Sequence, residues 1–108
     1  MSETTVRRAL VIGAGSGAGR EAAIALAKAG MRLALADGDA AALMRTAALT
    51  GRPLEMLVLP ADMESERGVN DIMHVLEGHF KGLDLLVVCA AGAEELCQRA
   101  RKLIDKTE

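Results

Sequence analysis

Short apolar runs alternate along the chain with longer stretches in which apolar residues recur every three or four positions. A short apolar run bounded by turn residues predicts a buried strand, whereas the longer spacing predicts the buried face of a helix. The pattern therefore predicts four strand-helix units. The predicted strands are residues 8–12, 31–36, 54–59 and 83–89, and the predicted helices are residues 17–29, 39–49, one from residue 65 and one from residue 93.

Residues at the predicted helix ends support these boundaries. Asp39 and Ser65 have side chains that can accept hydrogen bonds from the first free amides of the second and third helices. Gly30 and Gly51 can end the first and second helices in a left-handed conformation. Five apolar residues of the third helix share one face that would pack on the sheet: Val69, Ile72, Met73, Leu76 and Phe80.

The strands read as continuous apolar runs, for example residues 9–12 and 85–88, which predicts that both of their faces are buried. Such strands belong to a parallel sheet covered by helices, so we predict the α/β class and a three-layer α/β/α sandwich formed by one domain, residues 1–108. Right-handed crossovers favour a four-stranded sheet in the order 3-2-1-4. Ligands of such sheets bind beyond the carboxyl ends of the strands, where the chain changes direction.

The glycine-rich segment 13–19 joins the first predicted strand to the first predicted helix. Glycine permits the backbone conformations of a tight turn and the close approach of a ligand. Free amides at the start of the helix, together with the helix dipole, can then bind a phosphate group. The candidate binding residues of this turn are Gly13, Gly15, Ser16, Gly17, Ala18 and Gly19.

Asp37 ends the second apolar run, eighteen positions after Gly19. A carboxylate there could accept hydrogen bonds from the ribose of a bound dinucleotide. The alternatives are that Asp37 is solvated or is only an entry residue of the second helix, and that the glycines form an ordinary turn.

Composition and charge exclude several classes of function. The net charge of −2 provides no basic surface for nucleic acid, and we expect neither nucleic acid nor a membrane as a partner. The polar segment 1–5 lacks the apolar core of a signal peptide, so we expect a cytoplasmic protein. Cys89 and Cys97 fit buried free thiols, and His74 and His79 fit ordinary packing or surface residues, so we predict no metal site.

Residues 6–92 resemble the N-terminal half of the short-chain dehydrogenase/reductase family, a Rossmann-fold group of nicotinamide-dependent oxidoreductases. The family's GxxxGxG turn is matched by Gly13, Gly17 and Gly19, and its acidic residue typical of NAD-preferring members is matched by Asp37. Residues 82–87 resemble the segment that leads into the family's Asn-Asn-Ala-Gly motif.

This resemblance implies an NAD cofactor and further contact residues. Asp62 is similar to the family's Asp after strand three, whose side chain and following residue, here Met63, contact the adenine. Reasoning from the residues alone leaves Asp62 equally a turn residue after Pro60. At the Asn-Asn-Ala-Gly position the resemblance adds the contact residues Ala90, Ala91 and Gly92.

Two departures from the family pattern limit the predicted function. Cys89 and Ala90 replace the two asparagines, and the spacing from Asp84 to Gly92 is one residue longer than usual. The family's catalytic serine and its Tyr-x-x-x-Lys pair belong to later elements, and this chain contains no tyrosine. We therefore assign no catalytic residue and expect a domain that ends before the family's catalytic centre.

The sequence thus predicts an NAD(H)-binding Rossmann domain that does not catalyse a reaction by itself. One alternative is an oxidoreductase whose second half is missing or supplied by a partner chain. Another is a structural module that has lost its cofactor. An exposed apolar edge at strand four predicts a homodimer or a concentration-dependent oligomer. Arg20 could help to hold a pyrophosphate, although a solvated helix residue is the simpler interpretation.

Overall fold

Residues 6–105 are described in a computed structural model of the chain. The strands are β1 (Arg8–Ile12), β2 (Arg32–Asp37), β3 (Leu57–Pro60) and β4 (Leu85–Val88). The helices are α1 (Gly17–Lys28), α2 (Ala40–Leu49), α3 (Glu66–His79) and α4 (Glu94–Asp105), with a short 3₁₀ turn at Pro53–Glu55.

The four strands form one parallel sheet in the order β3-β2-β1-β4, which confirms the predicted topology. In this register Val11 of β1 lies opposite Leu35 of β2 and Val87 of β4. Because all strands run the same way, their carboxyl ends meet at a single edge. The β1–α1 turn, Asp37, the β3–α3 turn and the β4–α4 loop therefore share that edge.

Helices cover both faces of the sheet and confirm the three-layer α/β/α sandwich. Leu10 and Ile12 of β1 pack with the apolar faces of α3 and α4, whereas Ala9 and Val11 pack with those of α1 and α2. All four of these β1 side chains are fully buried. The alternation of a strand's side chains between opposite faces produces this division.

The third strand begins later than predicted. Pro53 starts the 3₁₀ turn, which holds Leu54 almost entirely in solvent at 99% exposure, and β3 starts at Leu57. The fixed φ of proline suits the first position of such a turn. The apolar character of Leu54 therefore does not reflect burial in the sheet.

The fourth strand is shorter and more exposed than predicted. Leu83 is buried, but its amide bonds to the carbonyl of Leu103 in α4, and β4 starts only at Leu85. Leu85 and Val88 are 37% and 44% exposed, so the expectation that this strand is buried on both faces is wrong. The reason is its position at the end of the sheet, where β4 pairs with β1 and no other strand of residues 6–105 lies beside it.

The structure also bears on the two cysteines and on the length and polarity of the helices. Both cysteines are free thiols, but Cys89 is exposed and Cys97 half-buried, so the predicted burial is wrong. Within residues 6–105, no helix is both long enough and apolar enough to cross a membrane.

Candidate functional site

The glycine turn between β1 and α1 is built on the end of the neighbouring strand. The amides of Gly13 and Ala14 both donate to the carbonyl of Ala36, at 2.8 and 3.2 Å. Gly13 has φ +84°, and a Cβ at this position would lie 2.8 Å from the carbonyl carbon of Cys89. Only glycine fits this conformation and this gap between β2 and the end of β4.

Gly19 allows α1 to start directly against the turn. A Cβ at Gly19 would collide with the carbonyl oxygen of Gly13. Gly19 is buried. The N-terminus of α1 lies at the carboxyl edge of the sheet because the helix follows directly after β1. This close approach explains the third glycine of the sequence pattern.

The first turn of α1 is open. Gly17 has φ +56°, and no atom of the described residues lies within 4 Å of the Cβ that a larger residue would add there. Ser16 is the N-cap residue, yet across residues 6–105 its side chain makes no capping hydrogen bond. The first amides of a helix have no intrahelical acceptor. Those of residues 17–19 are accordingly available to a ligand.

Asp37, the last residue of β2, lies against this turn and is half-buried. Its Oδ2 accepts a hydrogen bond from the Gly15 amide at 2.8 Å, and its Oδ1 accepts one from the Asp39 amide at 3.0 Å. Asp39 in turn caps α2, because its Oδ1 accepts from the Ala42 amide at 3.0 Å. The Asp37 carboxylate is thus fixed beside the glycine turn rather than solvated.

Asp62 lies two residues beyond the end of β3 and, unlike Asp37, makes no hydrogen bond to the glycine turn. Its Oδ1 accepts from the Glu64 amide at 2.9 Å, and its carbonyl accepts from the Ser65 amide at 3.4 Å. This is the geometry of a turn residue. Asp62 is exposed, and the neighbouring Met63 is half-buried.

The β4–α4 loop lies next to the β3–α3 turn. Gly92 has φ +79°, and a Cβ there would lie 2.6 Å from a carboxylate oxygen of Glu64. Ala90 is half-buried, whereas Ala91 and Gly92 are exposed. The structure therefore brings both loops to the edge that carries the glycine turn.

Arg20 and Thr46 form a polar cluster behind the glycine turn that was not predicted. Arg20 is half-buried, with its Nε donating to Thr46 Oγ1 at 2.9 Å, so the expectation of a solvated helix residue is wrong. Thr46 follows Leu43 by three positions on the buried face of α2. A buried hydroxyl requires a partner, and this threonine among apolar residues was the signal in the sequence.

An open cavity of about 320 Å³ separates the glycine turn from the start of α2. Its lining includes Ser16, Asp39 and Arg45. The cavity lies beside the fixed Asp37 carboxylate and the open first turn of α1.

Asp84 lies at the opposite edge of the sheet, directly before β4. The pKa of Asp84 is lowered, chiefly because the Arg8 amide donates to its carboxylate at 2.8 Å, and the Arg8 guanidinium adds to the effect. This pair ties the start of β4 to β1 far from the glycine turn. His74 and His79 are exposed, and no group of three or more candidate metal ligands is found in the described part of the chain.

A family profile and solved structures were compared with the chain, and they agree on one family. A sequence profile described as short chain dehydrogenase matches residues 7–107. Glucose dehydrogenase of Caenorhabditis elegans in the apo form matches with a TM-score of 0.81 at 22% identity, covering 94% of this chain and 51% of that one.

Two other solved structures match the same fold. The Pseudomonas aeruginosa RhlG/NADP active-site complex is 30% identical with a TM-score of 0.69, covering 93% of this chain and 44% of that one. A putative short-chain dehydrogenase/reductase from Sinorhizobium meliloti 1021 is 22% identical with a TM-score of 0.80, covering 100% and 59%. The chain thus spans about half the length of the structures that it matches.

Proposed function

The chain belongs to the short chain dehydrogenase family, and we propose that it binds NAD(H) at the carboxyl edge of its sheet. Members of this family bind nicotinamide dinucleotides, either NAD or NADP. In the proposed complex the amides of residues 16–19 hold the pyrophosphate and Asp37 accepts from the adenosine ribose. The other proposed contact residues are Gly13, Gly15, Asp62, Met63, Ala90, Ala91 and Gly92.

The open first turn of α1 carries this proposal. Its amides lack side-chain caps within the described residues, and the space above Gly17 is empty of protein atoms from residues 6–105. The partial positive charge of a helix N-terminus attracts a phosphate, and the glycines let it approach the backbone.

The Asp37 carboxylate supports NAD over NADP. A phosphate on the adenosine ribose would approach a negative charge that two backbone amides hold in place. Gly38 and Asp39, which follow Asp37 directly, provide no compensating cation, although Arg45 lines the adjoining cavity. The matching RhlG structure is a complex with NADP, so the affinities of this chain for NAD and for NADP must be compared directly.

We propose binding without a complete catalytic centre. The chain contains no tyrosine, and no residue is assigned as the proton donor that the family uses. Turnover that appears only when a partner chain is added would favour an oxidoreductase completed by that partner. Absence of any dinucleotide binding would favour a structural module.

The exposed edge at β4 supports a proposed homo-oligomer. Leu85 and Val88 are partly exposed, and an edge strand offers unpaired backbone groups to another chain. Sedimentation as a strict monomer at high concentration would contradict this. The free thiols of Cys89 and Cys97 fit a reducing compartment, and we extend the proposal to a cytoplasmic location.

Calorimetric titration of the purified chain with NAD and with NADP tests the function. We expect one NAD per chain, weaker binding of NADP and no turnover. Tighter binding of NADP would contradict the role of Asp37. Failure to bind either dinucleotide would contradict the proposed function.

A further inference from the structure

Two consecutive carbonyl groups of the glycine turn accept hydrogen bonds from side chains that lie behind the turn. Thr46 Oγ1 donates to the carbonyl of Ala14 at 2.7 Å. Arg20 Nη2 donates to the carbonyl of Gly15 at 2.6 Å. The donors come from different helices, α2 and α1, so the turn is fixed where those helices meet.

The protons of this cluster can be assigned. Thr46 has one hydroxyl proton and accepts from Arg20 Nε at 2.9 Å. Its own proton goes to Ala14, because the alternative acceptor, the carbonyl of Ala42, is farther away at 3.2 Å and also receives Arg20 Nη2. Among the described residues, Thr46 is the one polar side chain that is fully buried. Each of these hydrogen bonds is therefore costly to break.

Fixing a carbonyl also fixes the next amide. A trans peptide is planar, so its N–H points away from its C=O. Holding the Ala14 carbonyl directs the Gly15 amide to Asp37, where it is observed at 2.8 Å. Holding the Gly15 carbonyl directs the Ser16 amide to the side of the peptide away from Arg20.

From this geometry we infer that Arg20 and Thr46 are positioning residues that preset the phosphate-binding turn. They reserve the Gly15 amide for Asp37 and aim the Ser16 amide at the ligand, without touching it themselves. A turn held in its binding conformation loses less entropy when the anion binds. This inference rests on the proposed function.

Thr46→Val tests the inference in the ligand-free protein. The substitution keeps the shape but removes the donor to Ala14, so hydrogen exchange of the Gly15 amide should speed up by about tenfold relative to the Leu35 amide. Thr46→Ser should restore the wild-type rate. Thr50→Val is the matched control, because it removes a threonine hydroxyl at the C-cap of α2, one turn beyond Thr46, that bonds to Ala47 rather than to the glycine turn. Its Gly15 exchange should equal that of the wild type.

Binding of ADP and of adenosine separates positioning from general stability. For Thr46→Val we expect ADP affinity to fall about fivefold, the effect of about one hydrogen bond. Adenosine affinity should fall less than ADP affinity, because adenosine has no phosphate to contact the turn and the Asp37 carboxylate keeps its hydrogen bond from the Asp39 amide. Arg20→Lys keeps the charge but loses the planar fork, and should show the same larger loss for ADP if Thr46→Val does not fold.

The outcomes are distinguishable. Unchanged Gly15 exchange together with an unchanged ratio of ADP to adenosine affinity, in a folded variant, would overturn the inference. If the wild type binds neither NAD nor ADP, the proposed function fails instead. The exchange of Gly15 then decides separately whether Arg20 and Thr46 fix the turn.

Discussion

Helices α1 and α3 both begin at the carboxyl edge of the sheet behind a serine N-cap, yet their first turns differ. Ser65 Oγ accepts from the Gly68 amide at 3.0 Å, and Glu66 adds a negative charge to the first turn of α3. In the described chain Ser16 caps nothing, and the first turn of α1 has no acidic residue. The first turn of α3 is therefore capped by its own chain, whereas that of α1 has no side-chain cap among the described residues.

The difference is produced by side chains and by what surrounds them. Glu64, Glu66 and Glu95 border the start of α3 and would repel an added phosphate. At α1 the charges are mixed, because the Arg20 guanidinium is held behind the turn and Arg45 lines the adjoining cavity, while the Asp37 carboxylate bonds to the Gly15 amide. A helix dipole is common to both sites, so the dipole alone does not define a phosphate site.

Gly17→Val should have the largest effect on NAD binding, because its side chain fills the open first turn of α1. NAD binding should fall below detection, since the branched side chain would occupy the approach of the pyrophosphate. The positive φ adds a stability cost of about 1 to 2 kcal/mol.

Gly30→Val is the matched control for that cost. Gly30 lies just beyond the other end of α1, with φ +87° and, within residues 6–105, no atom within 4 Å of an added Cβ. It should lose similar stability in thermal unfolding and keep NAD affinity. Unchanged affinity in folded Gly17→Val would remove this turn from the site.

Asp37→Ala and Asp62→Ala compare the two acidic residues that follow β2 and β3. Asp37→Ala should weaken NAD binding by about 1 to 3 kcal/mol and narrow the gap to NADP, because a charged acceptor is lost. Asp62→Ala should cost less than about 1 kcal/mol, because the Asp62 carboxylate, unlike that of Asp37, makes no hydrogen bond to the glycine turn. Calorimetric titration of both variants with NAD and with NADP measures these changes in affinity. Equal losses of NAD affinity in Asp37→Ala and Asp62→Ala would contradict the expected difference between the two residues.

Ser65→Ala and Ser16→Ala should show the smallest effects, and only Ser65→Ala should lower stability. Removing the Ser65 cap should lower the free energy of unfolding by about 1 kcal/mol and leave NAD affinity unchanged. Ser16→Ala should leave stability unchanged, because no capping bond is lost among the described residues. Urea denaturation of both variants measures the difference, and equal destabilisation would show that Ser16 also acts as a cap.

Local signals predicted most of the fold, including the place of the glycine turn and Asp37 at one edge of the sheet. The glycine spacing, the apolar run before it and Asp37 all act over short stretches, and Asp39 and Ser65 cap the helices as predicted. Where the prediction failed, distant contacts decide the structure. Arg20 meets Thr46 across 26 positions, and the exposure of Leu85 follows from the place of β4 in the sheet. Neither fact is visible in a local pattern.

Titration of ¹⁵N-labelled protein with NAD, followed by amide NMR shifts, tests the central claim most directly. We predict saturating shifts for the amides of residues 16–19, with those of residues 65–68 unmoved, because the first turn of α3 is capped by Ser65 whereas that of α1 has no side-chain cap among the described residues. The titration would contradict the account if residues 65–68 shifted as strongly as 16–19, or if 16–19 stayed unmoved while NAD bound elsewhere.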